Sequence, residues 1–176
     1  MMNRKILTVA IATSLMATSF SSSTLAAQAS RDATAVIVTA LGVLHDGVND
    51  LSFGDISPPG LGGGNGTVTV DTAGNRTGAG AGLAGGTVGY GGFDVSGCNN
   101  CAYSVSLTPP AALTSGLNSI TVLSMDYETA SGGLNTAGSL DGTGADTLTV
   151  GGQIQITETQ ATGTYTGTYT VTVDYP

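Results

Sequence analysis

Few side chains in this sequence could carry out redox, metal or nucleophilic chemistry: two cysteines and a single histidine. Cys98 and Cys101 form the motif CNNC. In an oxidising compartment such a pair forms a disulfide by default, and we predict one that closes a turn between two strands. The alternative is a thioredoxin-like redox pair, which would stand where a strand meets a helix. The flanking residues show no helical period.

Metal sites and catalytic sites are not predicted. His45 is the only histidine and there is no second cysteine pair, so a zinc site would lack ligands. A Ser/His/Asp triad would also need His45, which has no nucleophile motif beside it. The twelve acidic residues single out no catalytic pair, and the GxGxxG match at residues 80–85 opens no helix. We predict a protein that is not an enzyme and that holds no metal and no cofactor.

Two further groups could bind a ligand. Tyr165, Tyr169 and Tyr175 could form a row on which a carbohydrate stacks, although the same spacing suits packing in a core. The segment from Asp141 to Asp146 could hold calcium through its oxygen atoms, and the alternative is a solvated turn. We favour the core and the turn.

The elements that must position these residues are strands, and the clearest is residues 163–176, GTYTGTYTVTVDYP. Strict alternation in aromatic and β-branched residues is typical of a half-buried strand. One face would carry Gly163, Tyr165, Gly167, Tyr169, Val171, Val173 and Tyr175. The other would carry threonines and Asp174. The edge of such a strand can pair with another chain.

A second strand is predicted near the N-terminus, over residues 33–44. One face carries Ala33, Ala35, Ile37 and Leu41, and the opposite face is also apolar. A strand that is apolar on both faces needs cover on both faces. No charged residue interrupts this run, which makes it the most aggregation-prone window of the chain.

Residues 1–29 have the pattern of a secretion signal: Arg4 and Lys5, an apolar stretch of about fifteen residues, and Ala27-Gln28-Ala29 as a cleavage site. After cleavage, two arginines and twelve acidic residues would give a net charge of −10. Such a charge argues against nucleic acid or an anionic membrane as a partner. We predict a secreted protein, exported through the periplasm to the cell surface or the medium.

The remaining chain alternates in short apolar runs between glycine-rich turns. We predict strands near residues 51–56, 67–71, 87–97, 103–107, 120–127 and 146–156, with loops at 60–66, 72–86 and 131–144. Phase slips are predicted at Gly91-Gly92 and at Gly151-Gly152. About eight short strands and no helical period predict an all-β fold, an immunoglobulin-like β-sandwich over residues 45–176.

Four segments together resemble a family of secreted bacterial domains of unknown function, related to spore coat protein U and more distantly to chaperone–usher fimbrial subunits. They are LSFGDISP (51–58), TVTVD (67–71), LTVGGQIQI (148–156) and GTYTGTYTVTVDYP (163–176). Fimbrial subunits carry a glycine fourteenth from the end and a penultimate aromatic residue, matched here by Gly163 and Tyr175. The early cysteine common in the spore-coat group is absent.

The resemblance implies an incomplete sandwich that is completed by the N-terminal strand of a neighbouring subunit. Residues 30–44 would be the donor strand, and residues 163–175 would line the acceptor groove. The function hypothesis is a structural subunit of a surface fibre or coat. Its partners would be further copies or related subunits, with a periplasmic chaperone as a further partner. The rival hypothesis is a self-completed monomer that binds a glycan or a protein.

Overall fold

The computed structural model describes residues 28–176, and within them the fold is all-β, with thirteen strands and no helix. No helix able to cross a membrane occurs in this part of the chain. The strands are β1 (Gly42–His45), β2 (Ser52–Ser57), β3 (Gly66–Val70), β4 (Arg76–Ala79), β5 (Gly82–Gly89), β6 (Gly91–Ser96), β7 (Ala102–Thr108), β8 (Ala112–Ser115), β9 (Asn118–Thr129), β10 (Gly133–Leu134), β11 (Gly138–Ser139), β12 (Ala145–Ile156) and β13 (Thr170–Asp174).

The chain divides into two units, residues 1–36 and 37–176. Residues 28–36, the described part of the first unit, contain no strand and are exposed. The second unit contains all thirteen strands. The predicted signal sequence lies outside the described residues, apart from Gln28 and Ala29.

The first layer of the sandwich is an eight-stranded sheet built around β12. One edge of β12 pairs with β6 and then with β3, and its other edge pairs with β9. Leu148, Val150, Ile154 and Ile156 are all buried, since they share one phase of a period of two. Gly151 lets the chain pass close by, because a Cβ there would lie 2.5 Å from the carbonyl oxygen of Val70.

The second layer consists of two smaller sheets. β7 lies between β11 and β13 in a three-stranded sheet, and β2 pairs with β5 in a two-stranded sheet. β13 runs antiparallel to β7, with Val171 opposite Leu107 and Val173 opposite Val105. The predicted β-sandwich is confirmed.

Several strands differ from the sequence prediction. The predicted loop at 72–86 contains β4 and the start of β5, and the loop at 131–144 contains β10 and β11. At Gly91 the chain does not form a bulge but changes sheet, because β5 pairs with β2 whereas β6 pairs with β12. The slip predicted at Gly151-Gly152 is also wrong, since the irregularity against β9 lies between Gln153 and Ile154.

Candidate functional site

An open apolar groove of about 700 Å³ lies between the two layers. Its floor belongs to the eight-stranded sheet and includes Ile120, Val122, Ile154 and Ile156. Its two rims are β2 with the two residues before it, and the segment 160–169 that precedes β13. The floor residues are the inward phase of β9 and β12, which is why four aliphatic side chains meet there. We call this feature the acceptor groove.

The first rim is held in place by Arg76. Its Nη1 atom donates hydrogen bonds to the carbonyl oxygens of Phe53, Gly85 and Asp55, at 2.8, 3.0 and 3.2 Å. The guanidinium therefore joins the end of β4 to both strands of the two-stranded sheet. Within the described chain β2 pairs only with β5, so its edge towards the groove has no strand partner.

In the second rim the side chains alternate as predicted, but residues 163–169 do not form a strand. Tyr165 and Tyr169 are half-buried, whereas the intervening threonines are exposed. Thr166 exchanges two backbone hydrogen bonds with Thr114 of β8, at 2.8 and 3.0 Å. The hydroxyl of Tyr165 donates to the carbonyl oxygen of Ala161 at 2.7 Å. Among the described residues no strand pairs with the groove side of this rim.

The groove ends at an acidic corner, formed by Asp46, Asp50, His45 and Tyr169. The Nε2 atom of His45 lies 3.3 Å from Oδ1 of Asp50, and the His45 ring packs edge-on against Phe93, which does the same against Tyr169. Burial raises the pKa of Tyr169 to about 12, and the nearby carboxylates of Asp50 and Asp46 add to the shift. This end of the groove is therefore negatively charged.

The predicted acceptor residues lie in three places. Gly163, Tyr165 and Tyr169 line the groove. Val171 and Val173 instead pack with Val95, Tyr103, Leu140, Leu148 and Val150, in a core that is already closed. Tyr175 lies further along, where its hydroxyl donates to the carbonyl oxygen of Thr39 at 2.9 Å. The groove is thus about half as long as the alternating segment.

The predicted donor residues also divide. Ala33, Ala35 and Ile37 are exposed and lie in no strand, and Ile37 is 96 % exposed. Leu41 is half-buried and packs against the closed core of its own domain. Within the predicted strand only residues 42–44 form part of a strand, which pairs with β6. We call residues 30–40 the N-terminal arm.

A family model described as a domain of unknown function, DUF4402, matches residues 43–175. The chain belongs to the DUF4402 family. No curated protein and no solved structure matches it. The DUF4402 match contains both rims and the floor of the acceptor groove and begins after the N-terminal arm.

The two cysteines of the DUF4402 domain form a disulfide-capable pair. Their Cα atoms lie 5.6 Å apart in the turn that joins β6 to β7. The backbone N–H of Cys98 donates to the hydroxyl of Tyr175 at 2.8 Å. The turn thus contacts both the C-terminal tyrosine and, through it, Thr39. The pair closes the turn that carries the chain from the eight-stranded sheet to the three-stranded sheet.

The other candidate sites of the DUF4402 domain do not assemble a cation site. Within residues 28–176, no group of three or more histidine, cysteine or acidic side chains could hold a metal ion. The Oδ1 atom of Asp141 accepts hydrogen bonds from the N–H groups of Thr143 and Ala145 and from the Thr143 hydroxyl. Because of these bonds, that of Ala145 above all, the pKa of Asp141 is lowered. The segment is therefore a hydrogen-bonded turn.

Sequence reasoning missed the floor and one rim of the groove. The predicted strand at 146–156 includes Ile154 and Ile156, but nothing in the sequence showed that the side chains covering them, such as Phe53 and Tyr165, are only partly buried. Arg76 carried a weak signal, because it is one of only two cations after residue 29. A lone cation in an acidic chain, flanked by glycine-rich segments, is a candidate for binding backbone carbonyls.

Proposed function

We propose that this DUF4402 protein is a structural subunit that assembles head to tail, each copy inserting its N-terminal arm into the acceptor groove of the next. One observation carries the proposal: the same chain has an exposed apolar arm and an open apolar groove. The arm offers Ala33, Ala35 and Ile37. Leu41 stays in its own core and marks where the arm ends.

The two free backbone edges of the groove support this assembly. An extended segment placed between β2 and residues 163–169 would give their N–H and C=O groups partners, as in strand addition to a sheet edge. Burying an isoleucine such as Ile37 contributes about 1.5–3 kcal/mol. Head-to-tail insertion joins unlike surfaces, so it builds open filaments and not closed dimers.

The proposed setting is the bacterial envelope. The signal-like N-terminus and the paired cysteines suit export through an oxidising periplasm. The resemblance to spore coat protein U and to fimbrial subunits adds a surface fibre or coat as the product, and a periplasmic chaperone as a transient partner. In this role the protein is not an enzyme, and it binds neither nucleic acid nor membrane.

An unheated denaturing gel of the full-length protein, recovered from the cell envelope, tests the proposal. Strand-exchanged subunits should give a ladder that collapses to one band on boiling. The variant Ile37→Asp should abolish the ladder without changing the fold, because Ile37 is exposed. Leu117→Asp is the matched control, since Leu117 is fully exposed but does not line the groove.

A single monomer band from the wild-type protein would overturn the proposal, as would a ladder that Ile37→Asp leaves intact. The first result would favour the rival, a monomeric domain whose groove binds a glycan or another protein. Circular dichroism of both variants verifies that the β-sheet signal is unchanged.

A further inference from the structure

We propose that Arg31 of one copy forms an ion pair with Asp50 of the next copy, and that this contact sets the direction and the register of the arm in the acceptor groove. The inference rests on the proposed function and adds an electrostatic contact at a defined end of the groove. It identifies the partner surface as the acidic corner of a second copy of this chain.

The charges of the described chain leave few other pairings. Its cations are Arg31 and Arg76, and Arg76 already binds three backbone carbonyls. Asp50 lines the groove with its side chain 92 % exposed, and the Nε2 atom of the His45 ring lies 3.3 Å from its Oδ1 atom. Arg31 shares the odd phase of Ala33, Ala35 and Ile37, so in an extended arm it points to the same side as they do.

The direction follows from what lies beyond each end of the groove. Beside β13 the place is taken by β1 of the same copy, since β1 lies next to β13 and Thr39 accepts a hydrogen bond from Tyr175. The donor's folded domain begins with its own β1, so it cannot follow the arm out at that end. The arm must therefore enter at the Gly163 end, with Arg31 leading towards Tyr169.

The lengths agree with this direction. Ile37 and Arg31 are six positions apart, as are Gly163 and Tyr169, and six extended residues span about 20 Å. With Ile37 opposite Gly163, Arg31 comes opposite Tyr169. The same register places Ala35 opposite Tyr165, a small side chain against a large one. Arg31 then lies at the corner that Asp50 and Asp46 make negative.

Glu158 is the acid nearest in sequence to the opposite end of the groove; it does not line the groove and is already engaged. Its Oε2 atom accepts a hydrogen bond from the N–H of Gly62 at 2.8 Å. An arm inserted in the reverse direction would bring Arg31 towards Glu158. The two acids therefore provide a matched pair for testing the direction.

The test measures the binding of a fluorescent peptide, residues 30–41, to the full-length Ile37→Asp protein, whose own arm cannot compete. We expect the wild-type peptide to bind, and the Arg31→Glu peptide to bind about five-fold more weakly, the upper range for an exposed ion pair. The Asp50→Arg protein should reverse this preference. Glu158→Gln should leave both affinities unchanged. Added salt should reduce the difference in affinity between the two peptides in both proteins, because it screens the wild-type and the reversed ion pair alike.

The outcomes separate the two proposals. Binding of the wild-type peptide that is insensitive to Arg31→Glu would overturn the ion pair and leave the groove proposal standing. If Glu158→Gln weakens binding of the wild-type peptide and Asp50→Arg does not, the arm enters in the reverse direction. That result would also overturn the ion pair with Asp50. If neither the wild-type peptide nor an Ile37→Asp peptide binds, the assembly proposal itself fails.

Discussion

The two halves of the sandwich share one sheet but differ in what covers it. In the closed half, buried residues come from both layers: Val95, Leu148 and Val150 meet Tyr103 and Leu140. In the open half, the buried residues Val68, Ile120, Ile154 and Ile156 all belong to the eight-stranded sheet. Their cover, Phe53, Ile56 and Tyr165, is only partly buried.

The open half is not a poorly packed core. Its floor has the same alternation and the same aliphatic residues as the closed half, carried by the same strand, β12. What differs is the second layer, where β13 begins only at Thr170 and β2 stands apart from residues 163–169. In the proposed function, this half, whose covering side chains are only partly buried, is the surface that the arm of the next copy covers.

The largest expected effect is on the free energy of unfolding, where a large-to-small substitution should cost more in the closed half than in the open half. Leu148→Ala should destabilise the protein by about 3–5 kcal/mol, because it leaves an enclosed cavity among side chains of both layers. Ile156→Ala removes a similar volume beside a groove that is already open. It should therefore lose mainly the transfer term, about 2 kcal/mol. Denaturant unfolding of both variants measures the difference, and equal losses would break the comparison.

The paired cysteines should matter to the closed half alone. Replacing both by serine removes a loop closure of four residues, worth about 2 kcal/mol by chain entropy. The pair closes the turn between β6 and β7, whose residues Val95 and Tyr103 belong to the closed core. Thermal unfolding should show the loss, while the peptide affinity of the groove stays the same. A weakened affinity would mean that the two halves are mechanically coupled.

The closed half was largely predictable from sequence. The alternation of Leu148 and Val150, of Tyr103, Val105 and Leu107, and of Val171 and Val173 gives their strands and their inward faces. Period-two patterns report which face of a strand is apolar. They carry no information on which other strand lies opposite, so the pattern at Tyr165 looked the same as the pattern at Val171.

The open half depends on features without a periodic signal. β4 and β5 are rich in glycine and alanine, and their positions are stabilised by the Arg76 side chain, which donates to the carbonyl oxygens of Phe53 and Gly85. Such strands resemble loops by composition. The point where Leu41 enters the core while Ile37 stays exposed also lies inside one continuous apolar run. Only the tertiary packing shows where the exposed part of this run ends and the buried part begins.

A smaller effect should distinguish two tyrosine hydroxyls. In the closed half, Tyr103 donates to Oδ2 of Asp146 at 2.8 Å, and burial raises the pKa of Tyr103 well above its usual range. Tyr103→Phe should cost about 1.5 kcal/mol, since it removes a hydrogen bond to a charged group. Tyr165→Phe in the open half removes two neutral hydrogen bonds at a half-buried site, one to the carbonyl of Ala161 and one from the Gln160 amide, and should cost about 1 kcal/mol. Urea unfolding of the pair tests the order.

The smallest effect is a dependence on acid at the edge of the open half. Hydrogen bonds from the backbone N–H groups of Asn49 and Val48 lower the pKa of Asp46 to about 2. Since the folded pKa lies below the unfolded value of about 3.9, the carboxylate stabilises the fold fully above that value. This contribution disappears as the pH falls from about 4 towards 2. Asp46→Asn should be less stable than the wild type at pH 6, and the two should converge as the pH falls towards 2. Thermal unfolding at several pH values measures this difference. If the stabilities of the two proteins change in parallel down to pH 2, the Asp46 carboxylate does not stabilise the fold.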